Sequence, residues 1–346
     1  MRAADTMDGG AGAAAERTLL RPRVGFLGVG WIGHSRMAAI AVDGAVEIAA
    51  VADTDAGLRD AARAFAPRAA AVDSLDALLA LPLDGVVIAT PSALHAQQAE
   101  AALARSLAVF CQKPLARTAA ETCGVIDAAR RADRLLGVDL SYRHTLAMRR
   151  VRDTIASGAI GEVFAVDLVF HNAYGPDKPW FRDPRLSGGG CVIDLGIHLV
   201  DLALWTLGFP RVEDVASRLH AHGRRLALPP SEVEDHAIAQ IDLEGGCALR
   251  LACSWNLPAG RDAVIEARFH GTAGGVALRN VDGSFYDFVA ERYEGTRTVQ
   301  MAAPPDAWGG RAAVHWARTL AAGRGFDPEI ERMAEVAGVL DAIYGR

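Results

Sequence analysis

From Arg23 to about Asp139 the chain alternates short, almost continuous apolar runs with Ala-rich stretches of helical character. The runs are Val24–Leu27, Val46–Ala52, Gly85–Ala89, Ala108–Cys111 and Leu135–Val138. Runs without polar alternation belong to strands covered on both faces, which means a parallel sheet between layers of helix. Ser74 and Thr118 are expected as helix N-caps, and Glu121, three residues after Thr118, completes a capping box. After His144 the pattern changes. A helix is predicted over Thr145–Ser157, ended by Gly158, and period-two alternation then takes over. In Cys247–Trp255, Leu249, Leu251, Cys253 and Trp255 share one face and Ala248, Arg250 and Ala252 the other, with Glu244-Gly245-Gly246 as the preceding hairpin turn. Val163–Phe170, His236–Leu243, Val264–Phe269 and Val276–Leu278 are further strands. The expected fold class is α/β: an N-terminal doubly wound parallel sheet, then an α/β domain with a large, mainly antiparallel open sheet. Helices at about Trp308–Ala322 and Pro328–Tyr344 close the chain.

Composition narrows the function classes. A formal net charge of −6 gives no basic face, so nucleic acid is not an expected partner. No stretch of about 18 apolar residues stands out, so no membrane span is expected. The opening residues are Gly/Ala-rich and carry Asp5, Asp8 and Glu16, without the basic start and apolar core of a secretory signal. They are expected to form a flexible leader over residues 1–22. Cys111, Cys123, Cys191, Cys247 and Cys253 are odd in number and show no C-x-x-C spacing. Free thiols in a reducing cytoplasm follow.

Gly28-Val29-Gly30-Trp31-Ile32-Gly33 comes directly after the first apolar run and opens a helical segment. Glycines at this spacing allow a tight turn, close approach to a pyrophosphate and helix-on-strand packing, with the helix N-terminus facing the phosphate. Asp53 ends the second run about 20 residues further on, where an acid grips the ribose diol of a dinucleotide. The competing reading is that Asp53 caps the next helix, a job Asp55 could share. A carboxylate there repels a 2′-phosphate, and no Arg or Lys follows at once, so NAD is expected in preference to NADP. Lys113, before Pro114, stands at the carboxyl end of a strand, where such sheets bind ligands. Gly188-Gly189-Gly190 then permits close backbone approach to a ligand or cofactor. Asp194 and His198, four apart, share a face if helical, so the carboxylate can orient the imidazole.

Taken together these features resemble the Gfo/Idh/MocA oxidoreductase family, which includes inositol and sugar dehydrogenases. The resemblance rests on Gly28 to Gly33, Asp53, Ala89-Thr90-Pro91-Ser92-Ala93-Leu94-His95, Lys113-Pro114, Ser141-Tyr142-Arg143, Gly158 to Val163, Gly188 to His198 and His270-Gly271-Thr272, in the family's order. It implies an NAD(P)-binding Rossmann domain over 23–143 and a substrate-binding and oligomerisation α/β domain over 144–346, with the active site between them. It further implies Lys113, Asp194 and His198 as the catalytic set, and a cofactor cleft lined by Gly28, Gly30, Trp31, Ile32, Gly33, Asp53, Thr90, Pro91, His95, Gln112 and Lys113. One departure is visible: the family's usual Glu-Lys-Pro is here Gln112-Lys113-Pro114.

The expected reaction is hydride transfer between a nicotinamide and a secondary hydroxyl or ketone of a sugar, cyclitol or related polyol. His198 would take the proton with Asp194 behind it, so oxidation would rise with pH through a histidine-like ionisation. Lys113 would stabilise the alkoxide. Alternatives are an NAD-dependent glycosidase using transient oxidation, a non-catalytic sugar or dinucleotide sensor, and reduction of a cyclic imine or tetrapyrrole. Tyr142, Arg143, Asn172 and Trp180 are either substrate contacts or packing. No metal is called for, and His220-Ala-His222 reads as a solvated loop. An incompletely covered apolar sheet face, through which family members often pair, implies a homodimer or homotetramer.

Overall fold

The computed structural model describes residues 21–346, so the expected leader lies almost wholly outside the described residues. Six parallel strands form the first sheet: β1 (Arg23–Leu27), β2 (Glu47–Ala52), β3 (Ala70–Val72), β4 (Gly85–Ile88), β5 (Ala108–Cys111) and β6 (Leu136–Val138). Their order is β3-β2-β1-β4-β5-β6. The order reverses between β1 and β4, and in such sheets ligands bind at that crevice. Strands β4 and β5 are buried throughout, as their unbroken apolar runs require. Helices α1 (Trp31–Asp43), α2 (Ala56–Ala62), α3 (Leu75–Leu79), α4 (Ser92–Ala104) and α5 (Ala119–Ala132) link the strands. Ser74 and Thr118 cap α3 and α5 through their hydroxyls. The capping box, however, is displaced by one residue: Glu121 accepts from the backbone N–H of Arg117, before the cap, and also pairs with the Arg117 guanidinium.

After α6 (Leu146–Ala156) come β7 (Val163–Asn172), α7 (Pro184–Ser187), a π-helical turn (Val192–Gly196) and α8 (Ile197–Leu207). The strands β8 (Val212–Ala221), β9 (Arg224–Arg225), β10 (His236–Leu243), β11 (Ala248–Ser254), β12 (Ala263–Gly271), β13 (Gly274–Asn280), β14 (Phe288–Glu294) and β15 (Arg297–Ala302) follow. With β7 they form a nine-stranded sheet in the order β15-β14-β13-β12-β7-β11-β10-β8-β9, antiparallel except for the β7–β11 pair. Leu249, Leu251, Cys253 and Trp255 are buried on its helix-covered face. Gly245 and Gly246, both at positive φ, make the turn before β11.

The helical run Pro184–Leu207 is long and apolar enough to cross a membrane, against the expectation that no such stretch exists. Its residues are apolar because α8 is packed on nearly every side within the second domain.

The single boundary at residue 144 also needs correction. Helix α9 (Arg311–Ala321) returns to the first sheet and packs on α1 and β5. A side chain at Gly85 or Gly137 would run into the Trp316 indole, so those strands leave room for it. Helix α10 (Arg332–Tyr344) packs on α5, α8 and β8, and Asp341 accepts from the N–H of Ala119 at 2.8 Å. Helix α9 thus completes a separate core on the first sheet, while a larger core that includes α10 runs through both sheets.

Candidate active site

The turn after β1 is shaped by close approach. Gly28 has φ +82°, and a Cβ there would lie 2.6 Å from the Ala89 carbonyl oxygen; one on Gly33 would lie 2.1 Å from that of Gly28. Gly30 instead faces open space. It precedes α1, whose N-terminus has no side-chain cap and no acid in its first turn. Trp31 lies beside it with its indole largely exposed. Asp53 does not cap α2, which Asp55 does. Its two carboxylate oxygens accept from Val29 N (2.9 Å) and Asp55 N (3.0 Å), fixing the acid against the glycine turn. Uncapped helix N–H groups, an open glycine and a fixed acid at a strand end suit the pyrophosphate and ribose of a dinucleotide. Arg59, absent from the sequence expectation, reaches back to the carbonyls of Asp53 (2.6 Å) and Thr54 (3.3 Å).

Thr90 and Pro91 follow β4 at the same edge, with the Thr90 hydroxyl on Gln98 (2.5 Å). His95 does not line the cleft as expected. It is buried, with one ring nitrogen 2.7 Å from the Thr90 carbonyl and the other 2.7 Å from that of Pro114, and so clasps the ends of β4 and β5. Burial holds its imidazole below the usual range despite these carbonyls. Gln112 is also buried. Its amide donates to the Asp139 carboxylate, which pairs with Arg36 of α1 (2.5 Å) and accepts from Ser141. With Gln112 in place of a glutamate, this cluster has one carboxylate facing the single Arg36 cation.

Lys113 leaves β5 toward the second domain. Its ammonium donates to the carboxylate Oδ1 and to the backbone carbonyl of Asp194, both at 2.7 Å. The other carboxylate oxygen accepts from Trp255 Nε1 at 3.0 Å. Asp194 therefore orients Lys113, not His198. The cause is local: the π-helical turn closes i→i+5, so residues four apart no longer stack on one face. His198 has Nδ1 buried with no hydrogen-bond partner among the described residues. Its ring packs on Tyr142, centroids 4.7 Å apart. Burial, then the Lys113 and Arg36 cations, hold the imidazole well below the usual histidine range. Burial, with Asp194 and Tyr286 nearby, pushes the Tyr142 phenol up. A primary amine, a carboxylate and a neutral imidazole thus meet at the carboxyl edge of the first sheet.

Two family models match the chain: "Oxidoreductase family, NAD-binding Rossmann fold" over residues 22–140 and "GFO/IDH/MocA C-terminal domain" over residues 148–277. The D-apiose dehydrogenase of Paraburkholderia graminis is 31% identical over 317 residues, covering 88% of this chain and 78% of that protein. The chain belongs to the Gfo/Idh/MocA oxidoreductase family. Its match to the D-glucoside 3-dehydrogenase of Escherichia coli is 29% identical and spans 58% of this chain and 60% of that one. Similar partial coverage, 61% and 58% of the relatives' lengths, holds for two further curated relatives. Among solved structures, GenD2 from gentamicin A biosynthesis in complex with NAD is 25% identical, with a TM-score of 0.79 over 94% of each chain.

Within this Gfo/Idh/MocA frame the remaining candidates divide. Tyr142 lies against His198, with Phe170, Phe288 and Trp308 around it. Arg143 is not free for a substrate: its guanidinium forms a two-point pair with the buried Asp201 and lies over Trp205. Asn172 accepts from Tyr174 N (2.8 Å), a turn at the end of β7. Trp180 stacks on Phe181, which meets the edge of Trp255. Trp255, read from sequence as sheet packing, thus holds Asp194 as well. The glycines at 189 and 190 approach protein, not ligand: a Cβ would strike the Tyr344 hydroxyl at 2.1 Å and the Glu234 carbonyl at 1.8 Å, respectively. Among the described residues no group of three or more His, Cys, Asp or Glu side chains could hold a metal ion. His222 is largely exposed beside Asp235.

Proposed function

We propose that the protein is an NAD-dependent dehydrogenase that interconverts a secondary hydroxyl and ketone on a sugar, cyclitol or related polyol. The observation that carries this reading is the Lys113 ammonium. Two of its three N–H groups are taken by Asp194, leaving one for a reacting oxygen. When bound, the nicotinamide supplies the hydride acceptor or donor. Gly28, Gly30, Trp31, Ile32, Gly33 and Asp53 would hold the dinucleotide. Lys113 binds the substrate oxygen and stabilises negative charge as it develops. His198, neutral at working pH, accepts the hydroxyl proton and returns it in the reverse direction. Asp194, held by Trp255, sets the direction of the ammonium. The test is turnover of myo-inositol, D-glucose, D-glucuronate and D-glucosamine with NAD and NADP, followed at the nicotinamide absorbance. Nicotinamide reduction with at least one sugar supports the reading, and none with any sugar opposes it.

Cofactor preference follows from Asp53 and Arg59. The carboxylate favours a free ribose diol, while the guanidinium beside it offers a partner to a 2′-phosphate. NAD is expected to be preferred by about 10-fold, equivalent to about 1.4 kcal/mol. Asp53→Ser narrows the gap, and Arg59→Ala widens it by lowering NADP efficiency. Equal kcat/KM for the two cofactors in the unmodified enzyme contradicts the assignment.

The uncovered face of the large sheet is expected to pair copies of the chain as a homodimer or homotetramer. That face is more polar than its strand pattern implied. Asp167 is bonded to Arg250 (2.7 Å) and His270 (3.1 Å), and Ile238 on β10 is exposed. Light scattering at micromolar concentration is expected to give at least a dimer mass, and a monomer mass refutes pairing. A reducing, cytoplasmic setting accords with the five free cysteines.

A further inference from the structure

A helix leaves its first N–H groups without partners inside the helix, and a buried helix start must find them elsewhere. The helical segment bearing Asp194 and His198 finds them in two residues remote in sequence. Gly190 N and Val192 N donate to the two carboxylate oxygens of Glu234, each at 2.9 Å. Cys191 N donates to the Glu234 backbone carbonyl at 3.2 Å. Ile193 N donates to the Tyr344 hydroxyl at 3.3 Å, and that hydroxyl donates to Glu234 at 2.8 Å. Four consecutive N–H groups are thus tied to one acid and one phenol, both fully buried. The next residue is Asp194, the partner of Lys113.

We propose that Glu234 is a positioning residue for hydride transfer: with Tyr344 it fixes the start of the π-helical turn and hence where Asp194 holds Lys113 and where His198 stands. This rests on the dehydrogenase reading above. A carboxylate at a helix N-terminus is favourable to the helix dipole. Burial pushes the Glu234 carboxyl up, while its N–H and phenol donors oppose the shift. Three donors facing two oxygens suit the ionised form. The two glycines complete the device, since a larger residue at 189 or 190 would push the turn off its brace.

Glu234→Gln keeps the volume but turns one acceptor into an N–H donor facing other donors. With the best substrate among the four sugars named above, kcat is expected to fall by about 10–100-fold, the scale of a small misplacement of catalytic groups. NADH affinity, measured by fluorescence, stays unchanged, and KM moves little. Two readouts need no turnover. Amide hydrogen exchange is expected to rise in residues 188–198, and acylation of Lys113 by acetic anhydride, read by peptide mass spectrometry, to quicken. Tyr344→Phe removes one donor and gives smaller changes in the same direction; it carries the test if Glu234→Gln fails to fold. A folded Glu234→Gln protein that melts earlier yet keeps its kcat and Lys113 acylation rate makes the brace a stabilising cap alone and overturns the proposal. If the unmodified enzyme oxidises none of the sugars, the dehydrogenase reading fails separately, and unchanged exchange and acylation in both variants still refute the brace.

Discussion

Replacing Lys113 with Met lowers kcat by about 10²–10³-fold, the usual cost of losing one donor to a developing oxyanion. Methionine keeps most of the stem and removes all three N–H groups, two of which now hold Asp194. NADH affinity, read by fluorescence titration, stays close to that of the unmodified enzyme, because the glycine turn and Asp53 lie at other strand ends. Lys113→Arg is also impaired: a planar guanidinium does not reproduce the point-like ammonium between the Asp194 carboxylate and carbonyl. Steady-state rates for the two variants decide the matter. Unchanged turnover in Lys113→Met moves charge stabilisation to another group.

Replacing His198 with Asn lowers the oxidation rate by about 10²–10⁴-fold, the range for loss of a general base. The pH dependence distinguishes the structural reading from the one based on spacing. With Asp194 engaged by Lys113 and Trp255, no carboxylate among the described residues pairs with His198. Burial, Lys113 and Arg36 all favour the neutral ring. His198 therefore contributes no inflection to kcat/KM near the ordinary histidine value of about 6.5. The same lowered value has a stability consequence with a fixed sign. Below about pH 6.5 the unfolded chain takes up a proton at this residue and the folded chain does not, so its contribution is complete above that pH and is lost as pH falls. A rate limb near pH 6.5 that disappears in His198→Asn would restore the Asp-oriented histidine and overturn this account.

The parallel sheet was readable because burial on both faces leaves unbroken apolar runs, as in Val86–Ile88 and Val109–Cys111. Strand β8 was missed. Asp214, Ala216 and Arg218 leave one face exposed, and Glu213 on the opposite face blurs the alternation. Strands β14 and β15 were also missed, where charged and polar side chains lie near the edge of the sheet. At the site, residue types were legible but their partners were not. Spacing of four assumes an α-helical repeat, and the π turn breaks that assumption between Asp194 and His198. The glycine run announced close approach, but to a ligand or cofactor, whereas protein is what comes close. Its visitors, Glu234 and Tyr344, are 44 and 151 positions away from the N–H groups they hold, at Gly190 and Ile193. Only the folded chain brings them together. Trp255 was hidden differently: one indole can satisfy a strand's apolar alternation and still carry a donor.

The return of α9 to the first sheet has a consequence for synthesis on the ribosome. The chain emerges from its N-terminus, yet the pocket between β4, β5 and β6 that receives Trp316 is filled only after the entire second sheet has been made. A nascent chain stalled near residue 150 would present Phe110 and the small residues around Gly85 and Gly137 to water, as a partly folded domain with an open seam. The first sheet gains the cover of α9 only after the second sheet has been synthesised, so its packing is expected to be completed together with that of the second sheet.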